Sequence, residues 1–219
     1  MCQSLGEISL AHNGVLFLDE LTEFKHSSLE VLRGPMEDRK VLISRVQANY
    51  TYPCNFMLVA SMNPCPCGYY GDKDRECKCT EQQIKSYKNK ISGPLLDRID
   101  LHVEVPNVKY ENLKSGKEES SFEIRKRTEN ARNIQKERYL NCGINSNSEL
   151  TPKLIEKYCK LNIASQNIIE KYFNLNSISA RSYSKILKIS RTIADLENEK
   201  NISEDHVLEA IRYRFLDKK

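Results

Sequence analysis

The run HNGVLFLDE, from His12 to Glu20, ends four apolar residues with two adjacent carboxylates, Asp19 and Glu20. Val15 to Leu18 show no period-2 alternation, which predicts a strand covered on both faces of a parallel sheet. Acids at the carboxyl end of such a strand lie at the mouth of an α/β sheet, where these folds bind ligands. Nucleoside-triphosphate hydrolysis uses such a pair: one acid holds a magnesium ion, usually through water, and the other orients the attacking water. Alone, the pattern is equally that of a strand meeting a charged turn. Three later residues add weight because of their order. Asn63 ends the next apolar run, FMLVASMN, so in a parallel sheet its amide lies beside the carboxylates and can orient water against a γ-phosphate. Arg98, in GPLLDRIDLHVEV, precedes a third apolar run and can neutralise charge on a transferred phosphoryl group, or simply pair with Asp97 or Asp100. Arg181, in SARSYSKIL, opens a helix from which it can reach a phosphate; in isolation it reads as a solvated helix-start arginine.

A second constellation is NPCPCGYYGDKDRECKCT. Of the eight cysteines in the chain, Cys65, Cys67, Cys77 and Cys79 fall within fifteen residues, as C-x-C, nine residues, C-x-C. Four thiolates at such separations can close a tetrahedral zinc site around a loop, and in a reducing compartment clustering points to a metal before disulfides. The spacing is less specific than paired C-x-x-C motifs, so free thiols and disulfides stand as alternatives. No open coordination position marks a catalytic metal, and His12, His26 and His102 read as packed or solvated residues rather than ligands.

The elements that must position these residues divide into two sets. Val15 to Leu18, Phe56 to Ala60 and Ile99 to Val105 predict strands. Ser27 predicts the cap of a helix running through Leu29, Val31, Leu32 and Met36, and Val41 to Val46 with Ala48 to Tyr52 predict the two arms of a hairpin or an insertion. Thr80 begins a polar helix that Gly93-Pro94 punctuates, and Pro106 stops the last strand. Beyond Asn107 the apolar spacing turns helical: Phe122 to Tyr139, a helix opened by Thr151-Pro152, the stripe Ile186, Ile189, Ile193 and Leu196, and a last helix capped by Ser203. The division is therefore an α/β core over 1–106, a polar linker over 107–121 and an all-helical domain over 122–219.

At 219 residues the chain is long enough to bury one core or two small ones. No run approaches the ~20 apolar residues of a membrane helix, and the first twenty residues lack a signal-peptide pattern, so no membrane partner and a cytoplasmic address are expected. A net charge of +4, from 34 basic and 30 acidic residues, permits nucleic-acid binding without arguing for it. Arg33, Lys40 and Arg45 around the predicted hairpin are the candidates for contacts to DNA phosphates, although a solvated surface is the favoured reading of these charges.

The stretches GEISLAHNGVLFLDELTEF, VLRGPMEDRKVLISR, ASMNPCPCGYYGD, GPLLDRIDLHVEVP and SARSYSKILKISRTIADL together resemble the magnesium chelatase-like branch of the AAA+ ATPases, in its ComM/YifB type, over nearly the whole chain. The resemblance implies a partial AAA+ (P-loop NTPase) core followed by a helical lid domain. It assigns Asp19 and Glu20 as the Walker B pair, Asn63 as sensor 1, Arg98 as the arginine finger acting on a neighbouring subunit's nucleotide and Arg181 as sensor 2. It implies ATP and Mg²⁺ as cofactors, a homo-oligomeric ring, commonly a hexamer, and DNA as a partner in branch migration during natural transformation. Cysteine pairs at the 65–79 loop recur among such proteins. One departure stands out. The phosphate-cradling G-x-x-x-x-G-K-[ST] loop is absent; Gly116-Lys117 is followed by Glu118 and lies in the polar linker. Only eighteen residues precede Asp19, too few for a βαβ unit of roughly 30 residues. The expectation is a carboxy-terminal portion of a longer ATPase, which alone neither binds ATP tightly nor hydrolyses it. The alternatives are a non-catalytic oligomerisation or DNA-interaction module and, with no residue marking a tetrapyrrole site, a metal-chelatase subunit.

Overall fold

The structure, a computed structural model, describes residues 6–45, 48–72, 74–106, 119–176 and 178–217. These form two compact units, one through Ile99 and one from Asp100. The predicted linker falls mostly on 107–118, outside the described residues.

In the first unit a short helix α1 (Glu7–Leu10) leads into β1 (Val15–Leu18). Two helical pieces follow, α2 (His26–Val31) and α3 (Arg33–Asp38), then the strands β2 (Lys40–Arg45), β3 (Ala48–Pro53) and β4 (Met57–Ala60). Strands β1 and β4 pair in parallel, with Val15 opposite Met57 and Leu18 opposite Ala60. Strands β2 and β3 form an antiparallel hairpin. The register puts Leu16 and Leu18 on the sheet face that packs on Leu21, Leu29, Leu32, Ile91 and Leu95.

Three expectations change here. The parallel strands are covered on one face only: Val15, Phe17, Met57 and Val59, paired across the register, are 58%, 59%, 63% and 41% exposed. The helix expected from a Ser27 cap starts two residues earlier, at His26 with Lys25 as its cap, and breaks at Leu32. Pro35 explains the break, since it lacks the N–H that would bond back to Val31. The strand expected over Ile99 to Val105 does not form: the segment has no ladder partner among the described residues, and Leu101, Val103 and Val105 are exposed. An apolar run becomes a strand only where a neighbour accepts its backbone hydrogen bonds, and here the His102 N–H instead donates to the Tyr213 carbonyl at 2.7 Å.

Helix α4 (Glu81–Lys88) starts at a capping box, in which the Thr80 side chain accepts from the Gln83 N–H and the Gln83 side chain accepts from the Thr80 N–H. After it, Ser92 caps α5 (Gly93–Leu96).

The second unit is helical: α6 (Ser121–Arg138), α7 (Pro152–Tyr158), α8 (Ile163–Asn176), α9 (Ala180–Leu196) and α10 (Glu204–Arg212). Its core gathers Tyr139, Ile155, Ile169, Ile186, Ile193 and Val207 among others. Ile186 and Ile193 of the predicted stripe are buried, while Leu196 at its end is partly open. No described helix is long and apolar enough to cross a membrane.

Candidate functional site

The parallel pairing carries the site. Because Leu18 stands opposite Ala60, the next residues on the two strands, Asp19 and Ser61, emerge side by side. The Ser61 hydroxyl donates to Asp19 Oδ1, and the Glu20 N–H approaches both Asp19 Oδ1 (3.1 Å) and Ser61 Oγ (3.2 Å). Backbone bonds lock the same corner: the Ser61 N–H donates to the Leu18 carbonyl at 3.0 Å, and the Leu21 N–H to the Ser61 carbonyl at 2.8 Å. Held this way, Glu20 adopts a left-handed conformation, φ 50° and ψ 55°. A non-glycine residue there is strained by roughly 1–3 kcal/mol, and such strain gathers at functional sites. Both acids are exposed.

Glu20 and Asn63 line one open cavity of about 500 Å³, with Glu23, Pro66, Gln83, Ser86, Tyr87 and Lys90. Asp19, bonded to Ser61, precedes Glu20 in the chain and is not among the residues that line this cavity. Among the described residues the cation on the wall is Lys90, whose Nζ lies 3.5 Å from Glu23 Oε1. The cavity can therefore hold a water molecule or an oxygen ligand between a carboxylate and an amide.

On the far side of Asn63 the chain enters the cysteine loop. The four sulfurs of Cys65, Cys67, Cys77 and Cys79 all lie within 4.8 Å of one another. Cys65 and Cys67 are 3.4 Å apart, Cys65 and Cys77 3.7 Å, and Cys67 and Cys77 3.6 Å. A disulfide has sulfurs about 2.0 Å apart, and every described cysteine is a free thiol. The Tyr69 backbone N–H, opposed by desolvation and helped by the Lys78 backbone and the thiols of Cys65 and Cys79, lowers the Cys67 thiol to about 6. Cys77 is pushed up to about 12: the Cys79 backbone holds it down, but desolvation and the neighbouring sulfurs outweigh that. One thiolate thus forms readily and makes the next harder to form.

The family profile described as magnesium chelatase, subunit ChlI, matches residues 2–113, and that of the subunit ChlI C-terminal region matches 118–214. The chain is a magnesium chelatase-like protein of the ComM/YifB type. It is 45% identical over 212 residues to the competence protein ComM of Haemophilus influenzae, covering 95% of this chain and 40% of that protein. It is 42% identical over 218 residues to the uncharacterised protein YifB of Salmonella typhimurium, covering 97% of this chain and 41% of that one, and 38% identical over 218 residues to YifB of Escherichia coli, with 97% and 41% covered. The chain therefore spans about two fifths of the length of these relatives.

In this magnesium chelatase-like protein Arg98 is not among the residues that line the cavity of the first unit. The Arg98 side chain, 15% exposed, donates to Glu37 Oε2 at 2.5 Å, to the Pro94 carbonyl at 2.8 Å and to the Arg33 carbonyl at 3.2 Å. Reaching a nucleotide elsewhere would require breaking the Glu37 pair. Because the guanidinium ties α3 to α5, Arg98→Ala is expected to lower the stability of the first unit by about 1–3 kcal/mol. Urea unfolding should show this, with Glu37→Gln giving part of the effect; an unchanged midpoint for Arg98→Ala would contradict it. Arg181 lies in the second unit, exposed, in the first turn of α9, whose start is capped by Ser179 accepting from the Ser182 N–H at 3.1 Å. Lys40 opens the hairpin strand β2 and Arg45 closes it, whereas Arg33 is paired with Glu30.

Sequence reasoning missed Ser61 and the opposite wall, Gln83, Tyr87 and Lys90. A signal for Ser61 was present: aligning the ends of LFLDE and LVASM sets it beside Asp19. Gln83 and Tyr87 come from α4 and Lys90 from the turn that follows it, a placement no local pattern announces.

Proposed function

We propose that this chain is the Walker B-to-sensor 2 portion of an AAA+ ATPase, in which Asp19 helps hold Mg²⁺ and Glu20 orients the attacking water. Asn63 positions that water against the γ-phosphate, as sensor 1. Arg98 serves as arginine finger toward a neighbouring subunit, and Arg181 acts as sensor 2 from a helical lid. The complete protein uses ATP and Mg²⁺ in a homo-oligomeric ring, and the work it drives is DNA remodelling of the branch-migration kind. The observation carrying this reading is the exposed Asp19–Glu20 pair at the carboxyl end of a parallel strand, with Asn63 of the neighbouring strand end on the same cavity as Glu20. The name of the Haemophilus relative, a competence protein, favours DNA as the substrate.

The test joins this chain to the part of the Haemophilus influenzae relative that it does not cover. Magnesium-dependent phosphate release from ATP is expected, stimulated by branched DNA, with the stimulation fading as salt rises because DNA phosphate contacts release counterions. The chain by itself, lacking a phosphate-cradling loop, is expected to give no turnover. A folded, nucleotide-binding chimera without hydrolysis would overturn the reading in favour of a non-catalytic module.

A further inference from the structure

The cysteine loop lies outside both apolar clusters of the molecule, yet it is built in detail. Gly68 and Gly71 take positive φ values of 82° and 84°, which a side chain would strain, and the Gly68 N–H donates to the Cys65 carbonyl at 3.0 Å. Asp72 Oδ1 accepts from the Asp74 N–H (2.8 Å) and the Arg75 N–H (3.2 Å), folding the chain back on itself. Arg75 then donates to the Tyr69 hydroxyl at 2.8 Å, and Lys88 of α4 sits 4.9 Å from the centre of the Tyr70 ring. The result is that Cys77 and Cys79 return onto Cys65 and Cys67. Cys65 is fully buried and the other three are half-buried, so the sulfurs face one another rather than solvent.

A loop of this length without helix or strand needs some internal support, and four thiols in mutual contact give little on their own. They do have the dimensions of a metal cage. Zinc–sulfur bonds of about 2.3 Å in a tetrahedron place the sulfurs about 3.8 Å apart, close to the 3.4–3.7 Å separations already present. All-sulfur tetrahedral sets select zinc or iron over magnesium and calcium. Four protein ligands leave no open position, so such a metal is structural.

We propose that the Sγ atoms of Cys65, Cys67, Cys77 and Cys79 bind one zinc ion, which fixes the Pro64 to Thr80 loop and with it Asn63 and Pro66 at the rim of the cavity. Binding exchanges thiol protons for the metal: one Zn²⁺ and four thiols give a tetrathiolate dianion and release up to four protons. Lys78 and Arg75 within the loop supply nearby positive charge. The metal assignment stands independently of ATP hydrolysis; only the effect on Asn63 rests on the proposed function.

The protein, purified without chelators and with reductant, is expected to contain about one equivalent of zinc by elemental analysis. Cobalt substitution should give the visible absorption of a tetrahedral thiolate complex. Cys77→Ser combined with Cys79→Ser should abolish both signals, while Cys142→Ser, outside the cluster, should leave them intact. Should the double variant fail to fold, a mercurial thiol reagent added to the unmodified protein decides the matter, releasing the zinc as the four clustered thiols are consumed. Limited proteolysis within 64–80 should accelerate on zinc removal. Protein that stays metal-free after reconstitution, an iron–sulfur chromophore, or a mass deficit showing disulfides would each overturn the assignment. Loss of zinc with an unchanged cleavage pattern would overturn the fixing of the loop.

Discussion

Glu20→Gln in the chimeric ATPase is expected to reduce ATP hydrolysis by roughly 10²- to 10⁴-fold, the span for removing a positioned general base. Binding of ATP and magnesium should survive, because the substitution keeps the shape of the side chain and leaves Asp19 and Ser61 untouched. The side chain is exposed, so the unfolding midpoint should not move. Glu20→Gly sharpens the test. The left-handed conformation at this position is one that glycine adopts without penalty, so that variant should be as stable as the parent or more stable by up to about 1 kcal/mol. It should be as inactive as Glu20→Gln. A strained residue whose replacement improves stability and removes activity is held there for its carboxylate. Steady-state phosphate release together with urea unfolding of the three proteins checks both halves. If Glu20→Gln keeps more than a tenth of the parental rate, Glu20 is not the group that orients the water.

Asp195→Ala is expected to destabilise the helical unit by about 3–5 kcal/mol, the range for breaking a buried ion pair by removing one partner. Asp195 is 1% exposed. It accepts from Arg138 at 2.8 and 2.5 Å, from Arg191 Nε at 3.0 Å and from Asn147 Nδ2 at 2.9 Å. Arg191, 3% exposed, also donates to the carbonyls of Glu199 (2.6 Å) and Lys200 (2.8 Å), and the Tyr139 hydroxyl donates to Asn147 Oδ1 at 2.6 Å. One carboxylate therefore ties the end of α6, the 3-10 turn Asn147–Glu149, α9 and the turn after it. Removing it strands two guanidinium groups away from water. Glu197→Ala makes the contrast: this carboxylate, 56% exposed, meets His206 at 2.9 Å, and its loss should be worth less than about 1 kcal/mol. Urea titrations followed by the helical circular dichroism signal give the comparison. Equal midpoints for the two variants would show that the buried network does not hold this unit together.

Local signals carried the elements whose causes are local. Thr80 and Ser203 cap helices where the sequence says they should, and Thr151-Pro152 opens α7. The two arms expected over Val41 to Val46 and Ala48 to Tyr52 pair antiparallel over Lys40–Arg45 and Ala48–Pro53, with Val46 outside the described residues. Reading failed where a distant partner decides. Ile99 to Val105 has the composition of a strand but no ladder partner among the described residues, and Ser27 is a good capping residue that lies inside α2. Four apolar residues in a row say that Val15 to Leu18 can be buried on both faces, not that both faces are covered.

By itself, the sequence determined which chemical groups are available and in what order: two acids after an apolar run, an amide after the next, four clustered thiols, and two arginines further on. Composition and order are one-dimensional properties, and family membership follows from them. Only the tertiary structure decided which of these groups meet. Parallel register set Ser61 against Asp19, and the placement of α4 and the turn after it put Gln83 and Lys90 on the same cavity as Glu20 and Asn63. The fold-back at Asp72 brought the second cysteine pair onto the first, and Glu37 engaged Arg98. Contact between residues dozens of positions apart depends on how the backbone turns between them, and no local pattern of side chains encodes that distance.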